Sequence, residues 1–241
     1  MSTSTLQPIK LWGGGGTNPP KVAFILSLLS LPYTTIPIPL NEVKNPKYTS
    51  QISINGRVPA IQDPNTDLVL WESGAIVEYL VETYDKERKI SFERGTREDF
   101  EAKQWLYFQC SGQGPYYGQA SWFKTFHPEQ LPSAIERYVK EMNRVTGVLN
   151  THLSKQADKY GKDPWLVGNK MSFADVSFVM WQYLVTELPG FKGDVDMDAY
   201  PFAKEWLGRL LKVEGIKKVV EGAMASRHEP SGWEGIEKYL S

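Results

Sequence analysis

Cysteine is almost missing from this chain: Cys110 stands alone among 241 residues. A single thiol builds no disulfide framework and no cysteine-rich metal site. It is read as a small buried hydrophobe. Histidine is scarce too, and His127, His152 and His228 fall at no metal-ligand spacing, so no metal is expected. Nor do they suggest a Ser-His-Asp arrangement. Neither sign of charge dominates, with 27 basic residues against 28 acidic ones and a formal net charge of −1. That balance argues against a general binder of nucleic acid or of anionic membranes. No apolar run reaches the roughly 18 residues of a membrane span. Residues 1–5 lack the charged-then-apolar pattern of a secretory leader. Repeats and low-complexity tracts are absent as well. A reducing, cytosolic setting is the expectation.

Glycine, proline and aromatic residues are plentiful, and they divide the chain by texture. Up to about Lys86, short apolar runs alternate with Gly and Pro. Strands are expected at 9–11, 34–38, 60–62 and 68–70, with helices at 21–29 and 74–84. Pro37 and Pro39 confine the second strand to a sheet edge or end. The Asp63-Pro64-Asn65 turn separates the last two strands. Beyond a charged stretch the period becomes helical, with Ile135, Tyr138, Met142, Val145, Leu149 and Leu153 forming one stripe. The expected division is a first domain over residues 7–88, a linker over 89–96, a helical domain over 97–225 and a tail over 226–241.

Two motifs suggest a binding site. In Arg57-Val58-Pro59-Ala60 the proline forces Val58 into extended geometry, which suits pairing with a strand-like ligand. Fourteen residues after Pro59 comes Ser73, within Trp71-Glu72-Ser73-Gly74-Ala75-Ile76, where a strand hands over to a helix. Ser73 there offers a hydroxyl and free backbone N–H groups to a carboxylate. Glu72 offers an acceptor to an ammonium. Either motif alone also fits a tight turn with a capping serine; together they suit a small peptide charged at both ends. A third block, Trp165-Leu166-Val167-Gly168 and then Met171-Ser172-Phe173-Ala174-Asp175, reads as a capping box with Ser172 and Asp175 three apart.

With these blocks the chain resembles the glutathione transferases, and most of all the fungal class related to the yeast nitrogen-catabolite regulator. The likeness runs from about Lys10 to about Glu221. It implies a thioredoxin-like domain followed by an all-helical one, a glutathione co-substrate and a homodimer. It places the γ-glutamyl end on Glu72 and Ser73, and the cysteinyl amide on the Val58 backbone beside Pro59. Arg57 and Lys44 become candidates for the glycyl carboxylate. The third block resembles the family's folding motif, so Ser172 and Asp175 are assigned to folding.

The sulfur needs stabilising as a thiolate, because a free thiol titrates near 8.5. Family members usually supply Tyr, Ser or Cys after the first strand. The loop here, Trp12-Gly13-Gly14-Gly15-Gly16-Thr17-Asn18, has none. Asn18 matches the asparagine of the fungal class, and Thr17 is the second candidate. The four glycines lack the Gly-Lys-Ser/Thr of a phosphate loop and the spacing of a dinucleotide fingerprint. For an apolar electrophile, Gln113, Tyr116, Tyr117 and Trp122 near a Gly-Pro break are the candidate pocket. The expected reaction is conjugation of glutathione to hydrophobic electrophiles, in detoxification or secondary metabolism. A glutathione-dependent peroxidase and a non-catalytic glutathione-binding regulator are the rivals. Strand signals begin within ten residues of Met1, so the regulator's Asn-rich extension is not expected, which weakens the regulatory reading.

Overall fold

A computed structural model of the chain describes residues 6–39, 41–187, 190–225 and 239. The chain divides into two compact units, Met1–Lys89 with Glu214–Ser241, and Ile90–Val213.

The first unit contains a four-stranded sheet. Strands β1 (Ile9–Trp12), β2 (Tyr33–Ile36), β3 (Ala60–Asp63) and β4 (Leu68–Trp71) lie in the order β2-β1-β3-β4. Strand β1 runs parallel to β2 and antiparallel to β3, and β4 returns antiparallel to β3. The parallel step needs a crossover, supplied by helix α1 (Asn18–Leu28). A short helix α2 (Pro46–Gln51) and helix α3 (Ser73–Tyr84) complete the Met1–Lys89 segment. Residues alternate faces along a strand. Trp12 therefore joins Ile36, Ile38, Tyr48, Ile52 and Ala60 in one buried cluster. Its Nε1 donates to Gln62 Oε1 at 3.0 Å.

The expected strands are all present, each within one or two residues. Helix α2 was not foreseen. Its six residues are too few for a periodic signal, and only the packing of Tyr48 reveals its purpose. Helix α1 begins three residues before the expected start, because Pro19 and Pro20 fit the first turn of a helix.

The turn after β3 is fastened by Asp63, which is 1% exposed. Its carboxylate accepts from Asn65 N and Nδ2, both at 2.9 Å, from Tyr79 Oη at 2.7 Å, and from Tyr84 Oη. Asn65 Oδ1 in turn accepts from Gln7 N at 2.8 Å, pinning the start of β1. Burial works against the charged carboxylate, but the bonds from Tyr84, Tyr79 and Asn65 outweigh it and hold Asp63 below its ordinary pKa. A depressed folded pKa gives stability that is full above the unfolded value and is lost as pH falls through the folded one. Urea titrations between neutral pH and pH 3 should therefore show a shallower acid loss for Asp63→Asn than for the unmodified protein. Parallel curves would exclude this role.

The second unit contains helices α4 (Arg97–Phe108), α5 (Gly114–Thr125), α6 (Pro132–Tyr160), α7 (Phe173–Glu187) and α8 (Pro201–Leu210). A π-helical turn, Gln109–Gln113, joins α4 to α5. The expected stripe lies on α6, where Met142, Val145, Leu149 and Leu153 are buried. Ile135 and Tyr138 are only half-buried.

Asp175 is fully buried at the start of α7. Its Oδ2 accepts from Ser172 N at 2.9 Å and Ser172 Oγ at 3.0 Å, the backward arm of the expected capping box. Its Oδ1 reaches further, accepting from Leu166 N at 2.8 Å and Trp206 Nε1 at 2.9 Å. One carboxylate thus fixes a loop, a helix start and helix α8. His152 is structural, its Nε2 lying 2.7 Å from Leu166 O and its ring 4.6 Å from that of Trp105. Cys110 is half-buried rather than buried.

One expected boundary needs correction. The division between the units falls between Lys89 and Ile90, within the expected linker over 89–96, whose first residues are packed. Ile90 and Ser91 are buried, Ile90 O accepts from Phe173 N at 2.7 Å, and Ser91 O accepts from Lys170 Nζ at 2.7 Å. The final helix, α9 (Glu214–Ala225), belongs to the first unit and not to the helical one. It packs on α1, where Gly215 leaves room for Ser27; a Cβ there would meet Ser27 Oγ at 2.9 Å. Of the expected tail over 226–241, which includes His228, only Tyr239 lies among the described residues. Its carbonyl accepts from Lys10 Nζ at 2.9 Å.

Candidate functional site

Three short segments of the first unit converge on one recess. It is lined by Asn18, Ser53, Asn55, Arg57, Val58, Pro59, Trp71, Glu72 and Ser73.

The first wall follows β1. Gly13 has a φ of +103°, and a Cβ there would stand 2.7 Å from Val58 Cβ and 3.0 Å from Pro19 Cγ. Only glycine accepts both the left-handed backbone and the close approach. Gly13 N donates to Ile36 O at 2.8 Å, which anchors the loop at the end of β2. The loop delivers Asn18 as the first residue of α1, half-buried and facing the recess. Thr17 is the residue before the helix, makes no side-chain capping bond, and is not part of the lining. Pro19 and Pro20 remove two N–H groups from the first turn, where free N–H groups ordinarily gather an anion.

The second wall is the loop from α2 to β3. Tyr48, fully buried, donates its hydroxyl to Arg57 O at 2.9 Å. Gly56 turns the chain at φ +59°, with space so tight that a Cβ would meet Val43 O at 2.7 Å. Across it Lys44 Nζ donates to Asn55 O at 2.7 Å. Lys44 therefore braces the loop and is not among the lining residues, whereas Arg57 is exposed and lines the recess. The Val58–Pro59 peptide bond is cis, and β3 begins at once with Ala60.

The third wall is the step from β4 into α3. Glu72 has φ +73° and ψ 111°, a costly backbone for a residue with a Cβ. It makes no side-chain capping bond, and its side chain is exposed at the recess. Ser73, 8% exposed, opens α3. The first helical hydrogen bond is Ile76 N to Glu72 O at 2.9 Å. Ser73, Gly74 and Ala75 thus precede it with N–H groups that have no intrahelical partner. The expected strand-to-helix handover is present, with the left-handed twist of Glu72 as an addition that sequence spacing does not announce.

Of the sequence candidates, Asn18, Arg57, Val58, Pro59, Glu72 and Ser73 come together. Ser53 and Asn55 join them without having been foreseen; the Asn55-Gly56 pair is a turn signal and nothing more.

The pocket expected in the helical unit is corrected at two of its four residues. Gln113 and Tyr117 are sealed in the core. Gln113 Nε2 donates to Phe178 O and Gln182 Oε1, both at 3.3 Å. Tyr117 Oη lies 2.9 Å from Thr146 Oγ1 and 3.2 Å from both Met142 O and Gln182 Oε1. Burial pushes the Tyr117 phenol well above its ordinary pKa. The π-helical turn is what rotates these polar groups inward, and a periodicity argument cannot place it. Tyr116 remains half-buried beside Tyr138, with ring centroids 6.5 Å apart, and Trp122 is 48% exposed and stacks on Phe126.

Comparison with known proteins agrees with this geometry. Residues 7–82 match the family "Glutathione S-transferase, N-terminal domain", and residues 115–214 match "Glutathione S-transferase, C-terminal domain". The glutathione S-transferase-like protein gedE of Aspergillus terreus is 57% identical over 222 residues, covering 92% of this chain and 98% of that protein. Protein URE2 of Candida albicans is 34% identical, over 84% of this chain and 66% of its own length. Among solved structures, the glutathione transferase URE2P6 of Phanerochaete chrysosporium, in complex with oxidised glutathione, superposes with a TM-score of 0.83. It shares 43% identity, covering 91% of this chain and 97% of that one. The sheet unit with its cis-proline loop and the helical unit with its buried capping aspartate are accordingly those of a glutathione transferase, and the chain belongs to the glutathione S-transferase family in its fungal, Ure2-like branch.

Proposed function

We propose that this protein conjugates the thiolate of glutathione to hydrophobic electrophiles, acting as a cytosolic homodimer in detoxification or secondary metabolism. One observation carries the reading: Asn18, Val58, Glu72 and Ser73 line the same recess. The γ-glutamyl carboxylate meets the Ser73 hydroxyl and the free N–H groups at the start of α3, where the helix dipole favours an anion. Its ammonium pairs with Glu72. The Val58 backbone pairs with the cysteinyl amide, and Arg57 takes the glycyl carboxylate. Asn18 donates its amide to the sulfur. The thiol proton leaves to solvent, the sulfur forms a bond to the electrophilic carbon, and the leaving group departs with its electron pair. For the electrophile, Tyr116 and Trp122 remain as accessible aromatic candidates.

An amide does not titrate, so Asn18 acts by stabilising charge and not by removing a proton. Asn18→Ala should lower kcat for conjugation of 1-chloro-2,4-dinitrobenzene by about tenfold or more while changing the KM for glutathione far less. The opposite split, with KM carrying the loss, would assign Asn18 to binding alone. Among the described residues no tyrosine or cysteine lines the recess, and this favours one rival: a glutathione-binding protein with little catalysis of its own. Tight retention of glutathione with neither aryl-halide conjugation nor hydroperoxide turnover would establish that rival. Hydroperoxide turnover alone would mark a peroxidase.

A further inference from the structure

One face of the sheet is closed by very little. Residues alternate faces along a strand. Lys10 therefore shares a face with Trp12, and Trp12 shares it with Ile36 and Ala60, its partners across the ladder. Helix α2 and the residue after it cover this face with Tyr48 and Ile52. A helix of six residues is too short to hold by its own hydrogen bonds and depends on that packing. The loop that leaves it carries Arg57 and Val58 to the recess, with Tyr48 Oη donating to Arg57 O at 2.9 Å. Thr34 and Val69, elsewhere on the same face, are exposed.

Further cover comes from the far end of the chain. Tyr239 packs against this cluster, as do Val43 and Val58. Its carbonyl accepts from Lys10 Nζ at 2.9 Å, across 229 positions of sequence. One apolar and one polar attachment thus fasten it to the sheet. Tyr239 is not among the residues lining the recess, so its influence on a ligand passes through the cluster. Affinity falls in proportion to the share of molecules whose site is out of order. We propose that Tyr239 is a positioning residue for glutathione binding: packed on the cluster of Trp12 and Tyr48, it keeps α2 folded and so holds Arg57 and Val58 where the tripeptide meets them. The inference rests on reading the recess as the glutathione site.

Calorimetric titration of the full chain with glutathione, thermal unfolding, and ligand-free hydrogen exchange over residues 46–57 test it in Tyr239→Ala and Tyr239→Phe. Alanine should weaken glutathione binding roughly fivefold or more, as α2 opens in a larger share of molecules. Ile52 N and Ser53 N, which donate to Tyr48 O at 2.9 and 3.1 Å, should exchange several-fold faster, because that opening exposes them. Exchange in α7 should stay unchanged, and saturating glutathione should slow exchange over 46–57 again. Phenylalanine keeps the ring and the backbone carbonyl and should behave as the unmodified protein. A phenylalanine variant as weak as alanine would assign the effect to the hydroxyl and overturn the packing role. Unchanged glutathione affinity in the alanine variant overturns the proposal directly. So does faster exchange spread evenly over both units, or a lower melting temperature with affinity and exchange over 46–57 unchanged, since either marks a merely structural residue. If the unmodified protein binds no glutathione, the proposed function fails instead, and ligand-free exchange alone then decides whether Tyr239 holds α2.

Discussion

Asp175→Ala is expected to destabilise the helical unit by about 3–5 kcal/mol, a loss reserved for broken buried networks. The carboxylate is fully buried and accepts from Leu166 N, Ser172 N, Ser172 Oγ and Trp206 Nε1. Alanine removes every acceptor at once and leaves buried N–H groups from a loop, a helix start and α8 without partners. Such orphaned donors cost about 1–3 kcal/mol each before any relaxation, so the network decides the outcome and the lost carboxyl volume does not. Asp175→Asn tests the argument more finely. Its amide nitrogen would face donors on one side, so it should recover only part of the loss. Urea unfolding followed by far-ultraviolet circular dichroism measures both variants. A loss below about 1 kcal/mol for alanine would mean that the four bonds are worth no more than an ordinary surface contact.

The largest effect on binding is expected at Ser73 and Glu72. Ser73→Ala and Glu72→Ala should each weaken glutathione roughly 10- to 100-fold, the range for a hydrogen bond to a charged partner. Ser73 is nearly buried, so little water competes for its hydroxyl. The free N–H groups of Gly74 and Ala75 remain in the serine variant and preserve part of the carboxylate site. At Glu72 the φ of +73° is as unfavourable for alanine as for glutamate, so that strain cancels and the loss reports the side chain. A Glu72→Gln variant, which keeps the shape and the backbone, separates charge from geometry. It should lose nearly as much affinity as alanine if the ammonium pairs with the carboxylate. Calorimetry that finds glutathione affinity unchanged in both alanine variants would remove the proposed ligand from this recess.

Much of the molecule was legible because its signals are local. A proline after Val58, a serine at the start of an apolar helical run, and a Ser-x-x-Asp before α7 each act through a few neighbouring residues, so their meaning survives without coordinates. The strands were found within a residue or two for the same reason. Helix α2 escaped, since six residues carry no period. The pocket expectation at Gln113 and Tyr117 failed because the π-helical turn changes which face looks inward, and glycines beside aromatics suit a pocket and a tight helix crossing equally well.

What the sequence by itself determined is the family, the two textures of the chain, and most of the residues that line the recess, all of them set by short-range backbone preference and hydrophobic period. Tertiary structure alone decided the rest. It assigned α9 to the sheet unit because Gly215 admits Ser27 of α1. It turned Lys44 into a brace, required Gly13 opposite Val58, and buried Ser53 beside Tyr48. Each of these depends on atoms far apart in the chain meeting in space, and no spacing along a single strand or helix encodes which distant neighbour arrives.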